Sequence, residues 1–250
     1  MSAGEVVAIA IAGLAAGAIN TLVGSGTLIT FPVLLAFGYA PVSANVSNTI
    51  GLAPGNVSGA YGYRRELAGQ RARALRYGLA SLAGGIAGAV LLLVLPASAF
   101  KAIVPAFIAL ALVLVVLQPR LVAALAHRRV DLEGGLVLLP LAVFLAGVYG
   151  GYFGAGQGIL LLGFLGAALK QDLQRTNALK NVLVGLVNGV AGVYFALAAH
   201  VDWGAAGIIA LASVLGAQLG ARYGRRLPPN ALRGAIVAVG VFAIVRLLVG

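Results

Sequence analysis

Long apolar stretches follow one another from end to end of this chain, and charge is confined to short segments between them. Coiled as a helix, a stretch of roughly 17–25 residues matches a hydrocarbon core of roughly 30 Å, and these stretches are of that length. With 61% hydrophobic and 9% charged residues, the 250-residue chain has too few polar groups to coat a water-facing surface. Soluble domains are nearer about 25% charged. Lipid is therefore the solvent for most of it. Helix is the expected conformation, because a spanning segment must satisfy its backbone polar groups internally.

Two of the apolar runs are interrupted. The first reads NTLVGSGTLITFP, Asn20 to Pro32, and the second reads YFGAGQGILLLGF, Tyr152 to Phe164. Glycine, serine and threonine stand where a spanning helix would continue. The arm after the first break, Leu28 to about Phe37, reaches roughly 16 Å as a helix, about half the core. The Val23–Thr27 stretch is therefore read as the turn of a helical hairpin set partway through the membrane.

The chain reads as one pattern written twice. One fixed offset carries Asn45 onto Asn177, Asn56 onto Asn188, Ser81 onto Ser213, Gly84 onto Gly216, Gly88 onto Gly220 and Pro96 onto Pro228. Upstream a slightly shorter offset carries Gly17 onto Gly147, Gly24 onto Gly154 and Gly26 onto Gly156. Asparagine, serine and proline matches at one offset are hard to obtain by chance even in so biased a composition. The expected organisation is a first repeat over 1–118, a basic cytoplasmic linker over 119–130 and a second repeat over 131–250. Each repeat holds a broken element (4–37 and 134–167) and three continuous helices. These are expected near 44–62, 77–94 and 101–117, then near 177–198, 207–224 and 234–249.

Charge sets the expected orientation. If each broken element returns to the side it entered from, each half crosses an odd number of times and the second half is inverted. Of the 17 basic residues, 15 then fall on one side, and only Lys101 and Arg246 fall outside. If each broken element crosses once, the division is 9 against 8. The positive-inside rule favours the inverted arrangement, with arginine-rich loops in the cytoplasm and both termini periplasmic. The net charge of +11 is thus topological and no nucleic-acid partner is expected. Cysteine is absent, which removes disulfides, thiolate metal sites and a cysteine nucleophile. No cleaved signal peptide is expected, since only the initiating amine precedes Glu5.

Inverted repeats with broken helices place a binding site near the midplane. A helix start offers free N–H groups and the positive end of its dipole, and glycine lets the backbone approach a ligand. Asn20, Gly24, Ser25, Gly26 and Thr27 at the first break, with Gly154, Gly156 and Gln157 at the second, are the candidate binding residues, and they suit an anion. A second constellation is Asn45, Asn48, Thr49 and Asn56 in the first half, with Asn177, Lys180, Asn181 and Asn188 in the second. Asparagine is costly against lipid, so these side chains are expected to face the bundle interior, to bind substrate or to join helices. Lys180 stands where the first half has Asn48. It reads either as a side chain snorkelling to the cytoplasmic surface or as an attractor for an anion. Gly84, Gly88, Gly216 and Gly220 have the spacing of close helix packing.

All six acids fall in loops or at segment ends. A proton pump or cation carrier keeps an ionisable group inside the bundle, so anion passage survives this elimination. No metal-ligand cluster, catalytic triad or carboxylate pair can be assembled, and neither an enzyme nor a cofactor is expected. The alternative is a non-transporting membrane scaffold or a subunit of a larger complex.

AGAINTLVGSGTLITFPVLLAFGYAPVSANVSNT, with LAGVYGGYFGAGQGILLLGFL and RTNALKN in the second half, resembles the sulfite exporter TauE/SafE family. The resemblance covers essentially the whole chain. It implies an all-α polytopic transporter of the bacterial inner membrane that carries small sulfur-containing or carboxylate anions, often outward. The first break reads GSGT where the family often has a run of glycines, and the second repeat has no equivalent of Pro32. A coupling proton or sodium ion, the substrate and the oligomeric state are not specified by the sequence.

Overall fold

The computed structural model describes residues 1–127, 137–169, 171–223, 234, 236–242 and 244–245. Nine helices are delimited among them: α1 Ala3–Leu22, α2 Thr27–Ala36, α3 Pro41–Gly62, α4 Arg71–Val94, α5 Ala97–His127, α6 Leu138–Tyr152, α7 Gln157–Ala168, α8 Leu173–Ala198 and α9 Trp203–Tyr223. Five of them are long and apolar enough to cross a membrane: α1, α4, α8, α9 and the Ala97–Arg120 part of α5. The protein is an all-helical membrane protein. At 22 residues α3 matches the five in length. Asparagine, serine and threonine lower its hydropathy, and most of these side chains are buried.

Both broken elements fold back on themselves. Gly26 lies against Ala16 of α1, and beyond α2 the Tyr39 hydroxyl donates to Glu5 Oε1 at 2.7 Å, at the start of α1. In the second half Gln157, the first residue of α7, packs on Gly150 of α6. The expected hairpins are therefore present, with arms of 10 and 12 residues, about 15 and 18 Å long.

Close glycine contacts fix the helix directions. Gly13 and Gly17 of α1 meet Ile209 and Ser213 of α9, while Gly51, Gly55 and Gly62 of α3 meet Ile209, Ser213 and Ala221, so α1, α3 and α9 run the same way. Gly84 and Gly88 of α4 meet Phe144 and Val148 of α6. Ser81 and Gly85 of α4 meet Leu183 and Val187 of α8, so α4, α6 and α8 are also mutually parallel. Between the two sets the direction is opposite: Gly185 of α8 lies at Asn56 of α3 and Gly192 at Ile50.

One end of the bundle accordingly carries Arg64, Arg65, Arg71, Arg73, Arg76, Arg175 and Arg222. It is laced by Arg175 Nη2 donating to the Ala68 carbonyl (2.9 Å), Gln70 Nε2 to the Arg175 carbonyl (3.0 Å) and Arg73 to Gln171 Oε1 (3.0 Å). The other end carries Glu5, Tyr39, Lys101 and Asp202.

Several helix ends differ from expectation. α4 starts at Arg71 rather than near 77, and α5 runs on through Pro119 to His127 rather than stopping near 117. α8 and α9 start at Leu173 and Trp203, about one turn before the expected 177 and 207. Arginine is a good helix former, and a helix need not stop where hydropathy does. The remainder of the linker, Lys170, Arg225, Arg226, Pro228, Arg233 and the bounds of a last helix over 234–249 lie outside the described residues.

Candidate functional site

The two breaks share one backbone design. The N–H groups of Val23 and Gly24 both donate to the Ile19 carbonyl (2.7 and 3.1 Å), and those of Phe153 and Gly154 both donate to the Tyr149 carbonyl (3.0 and 3.1 Å). The offset that carries Gly24 onto Gly154 also carries Ile19 onto Tyr149. Gly24 and Gly154 sit in the left-handed region, at φ 87° and 81°, which ends a helix and suits glycine. Neither short helix that follows has a side-chain cap at its N-terminus.

The tips of the two breaks touch. Gly158 N–H donates to the Gly24 carbonyl at 3.1 Å, and a Cβ on Gly24 would stand 2.4 Å from the Gly158 Cα. The N–H groups expected to await a ligand at the two helix starts are largely spent, a correction to that expectation: Gly158 donates to the Gly24 carbonyl, Gln157 to that of Gly154, Leu28 to that of Ser25 and Gly26 to Asn20 Oδ1, because the tight turns and the opposite break supply acceptors close by. Residues at the breaks or bonded to them carry buried polar atoms without a protein partner: Ser25 Oγ, both side-chain polar atoms of Gln157, Asn45 Oδ1, Asn56 Nδ2 and Asn177 Oδ1. Buried polar groups are normally paired, so their concentration in one region marks a place built to receive polar atoms. Among the described residues no Asp or Glu is buried, and no cluster of His, Cys, Asp or Glu is placed to hold a metal.

The asparagines close each break from the opposite half. Asn45 Nδ2 donates to the Tyr152 carbonyl at the end of α6 (3.0 Å), and Asn177 Nδ2 donates to the Thr21 carbonyl near the end of α1 (3.1 Å). Asn181 Nδ2 joins Asn177 on Thr21 (3.2 Å). Lys180 lies here too, and its placement corrects the snorkelling expectation. The residue is fully buried, with Nζ 2.9 Å from the Asn20 carbonyl and 3.3 Å from the Thr21 carbonyl. The physical reason is that α1 ends in the bundle interior, where its last carbonyls, the negative end of the helix dipole, offer a cation acceptors that the surface does not.

The remaining candidates hold the hairpins. Asn20 Nδ2 donates to Asn56 Oδ1 (2.5 Å), and Asn20 Oδ1 accepts from Gly26 N–H (3.3 Å). Asn48 donates to Thr27 Oγ1 (3.3 Å) and accepts from the Thr30 hydroxyl. The Thr49 hydroxyl donates to the Asn45 carbonyl (2.8 Å). The second half places Gly150 where the first has Asn20, and the Gln157 side chain fills the space: a Cβ on Gly150 would stand 2.2 Å from the Gln157 Cδ. Gly154 lies near Thr27, whose Oγ1 would be 3.9 Å from its Cβ. Gly156 takes φ 82°, whereas Gly26 is right-handed. Asn188 is buried, farther along α8 than Asn177.

Thr21, Thr30, Tyr152 and Gly158 join the site without being among the sequence candidates. Gly158 and Tyr152 stand inside or beside the GAGQG motif, so their spacing to the break is a usable signal. Thr21 carries none, because its main chain, not its side chain, is the acceptor. An aromatic group backs the second break: Phe31 and Phe153 meet edge to face with centroids 5.3 Å apart, and Phe100 and Phe107 pack on Tyr152 at 5.6 and 5.8 Å.

A helical bundle with two broken helices meeting in a polar interior is the architecture of a polytopic membrane transporter. The family described as "Sulfite exporter TauE/SafE" matches residues 9–247, and the chain belongs to that family. Among curated relatives, the "Probable membrane transporter protein ORF9" of Sinorhizobium sp. is 32% identical over 95% of this chain and 90% of its own length. The "Probable membrane transporter protein YfcA" of Escherichia coli K12 is 27% identical over 93% of this chain and 86% of its own. These names are those of membrane transporters, not enzymes. No solved structure matches the chain.

Proposed function

We propose that the chain is a secondary carrier for a small oxyanion, such as sulfite, a sulfonate or a carboxylate, and exports it across the bacterial inner membrane. The observation that carries this reading is the meeting of the two breaks, Gly24 against Gly158, among unpartnered buried polar groups and with no carboxylate buried among the described residues. Asn20, Ser25, Thr27, Asn45, Asn56, Gln157, Asn177 and Asn188 bind the substrate in this reading. Residues 1–118 and 131–250 are the two repeats, inverted with respect to each other. The opposed directions of α3 and α8, which hold equivalent places in the two halves, support that relation. The arginine-bearing end is cytoplasmic under the positive-inside rule, with the termini periplasmic. At that end a cleft of about 630 Å³ lined by Arg64, Arg65 and Arg222, with Glu66 as its one acid, has a net positive lining that favours anions.

Access alternates as one repeat moves against the other. Export of an anion from a cell that is negative inside is favoured by about 2.3 kcal/mol per charge per 100 mV, so export requires no dedicated proton site. The test is flux in proteoliposomes containing only this protein, with sulfite, sulfoacetate, sulfate and acetate, under an imposed potential and with or without a pH gradient. Selective, potential-driven flux of one anion is expected. Absence of flux for all four from folded protein would count against the reading.

A further inference from the structure

We propose that Lys180 is the fixed counter-ion of the transported anion and also the tie that the anion undoes on binding. This rests on the anion-transport reading above. The substrate class it implies is an oxyanion that presents a single charged group to the site.

Three observations converge on Lys180. First, it is a fully buried lysine, and among the described residues no carboxylate is buried to balance the charge it carries as an ammonium. An ion buried without its opposite is costly unless a partner arrives. The polar atoms around it are neutral amides and hydroxyls, so a ligand with one negative charge brings the site to neutrality and a second charge would not be matched. Second, one of its two acceptors has donors to spare, so that only the Asn20 carbonyl loses its donor when the ammonium leaves. The Thr21 carbonyl receives three donors, from Asn177, Lys180 and Asn181, yet a carbonyl oxygen has two lone pairs. When Lys180 turns away, Asn177 and Asn181 still satisfy Thr21. Third, the side chain runs past the contact of the two breaks. A Cβ on Gly158 would stand 3.0 Å from the Lys180 Cδ, and Gly158 is the residue that donates to the Gly24 carbonyl. An ammonium that leaves Asn20 and Thr21 for an anion therefore releases one of the joins between α1 and α8 at the point where the tips meet. Occupancy and loosening become one event. The equivalent position in the first half, Asn48, is neutral and bonds within its own half to Thr27 and Thr30, so the charged tie is one-sided.

The competing explanation is a staple: Lys180 only neutralises the end of α1. Two neutral variants separate the two. K180M removes charge and tie, while K180Q removes the charge and keeps an amide that can donate to the same carbonyls. Since the natural chain has no cysteine, V23C supplies a single thiol at the first break, next to Gly24 and outside the binding residues named above. Its alkylation by N-ethylmaleimide is measured with methanesulfonate or acetate, and with dimethyl sulfone or acetamide as uncharged controls. With Lys180 present, the anions change the alkylation rate and the controls do not. In both K180M and K180Q the anion concentration giving half the effect rises at least about tenfold, the loss expected for a hydrogen bond to a charged group.

A K180Q protein that responds like its parent overturns the proposal in favour of the staple, and so does a parent that shows no anion response. If K180M does not accumulate, K180Q decides alone, because it keeps the tie. Flux separates the two readings: undiminished flux in K180Q removes the counter-ion and leaves the carrier standing. Absence of flux in the natural protein removes the carrier, while alkylation still reports on Lys180.

Discussion

At the scale of single residues, the left-handed glycines divide into two kinds. Gly154 has its conformation as its main requirement, since the nearest atom to an added Cβ is the Gly150 carbonyl oxygen at 3.1 Å. Gly24 has the same conformation and also a backbone 2.4 Å away. G154A is expected to cost about 1–2 kcal/mol, the penalty of left-handed geometry, and G24A clearly more, because the tips must separate. Thermal unfolding in detergent, read beside flux, checks the order. G24L and G154L are both expected to abolish flux while the protein still inserts. Outside the spans, burial and the Glu5 carboxylate push the Tyr39 phenol above its ordinary range. An acid whose folded pKa is raised contributes stability that is full below the unfolded value, about 10, and is lost as pH rises through the folded one. Y39F is therefore expected to lower stability equally from pH 6 to pH 9, by about 1 kcal/mol for one hydrogen bond. The glycine positions were legible because few residue types meet their backbone demands. The snorkelling alternative for Lys180 failed because a position near the start of α8 says nothing about the end of α1, which arrives from 160 residues away.

Among elements, the packing glycines behave as their spacing implied, and the partner is informative. A Cβ on Gly88 would stand 2.0 Å from the Val148 carbonyl oxygen, and one on Gly216 would stand 1.9 Å from that of Leu14. The small-residue helix of each half thus packs on the broken helix of the other. G88V and G216V are expected to prevent a monodisperse protein, since the intruded atoms are backbone and cannot turn aside. G189A and G207A, where nothing lies within 4 Å of an added Cβ, are expected to keep or raise the melting temperature, Ala being favoured over Gly in a helix by about 0.8–1 kcal/mol. Size-exclusion profiles and thermal shifts distinguish the pairs. Apolar length made the spanning helices legible. Their ends were not, because hydropathy marks where lipid stops and not where hydrogen bonding stops: α4 begins within the arginines and α5 outlasts its apolar run. The breaks were legible as interruptions, but which tip touches which was not, because that is set by the two halves together.

On the scale of the whole molecule, the sidedness proposed above rests on the segregation of arginine to one end. The native absence of cysteine makes the check direct. A thiol at Trp203 (W203C) is expected to react with a membrane-impermeant maleimide in intact cells, and one at Arg65 (R65C) only after permeabilisation. The reverse pattern would overturn the assigned sidedness. The cross-half closure of the breaks has a consequence for how the protein is made. Thr21 leaves the ribosome 156 residues before the asparagine that bonds it, an interval of about 8–30 s at about 5–20 residues per second. For that time the end of α1 sits in the membrane without the donors that complete it. Tyr152 has no such wait, since Asn45 is synthesised 107 residues before it. A transcript cut short anywhere before Asn177 yields a chain in which the end of α1 lacks those donors altogether. Translation thus closes the second break as it emerges and the first only in retrospect.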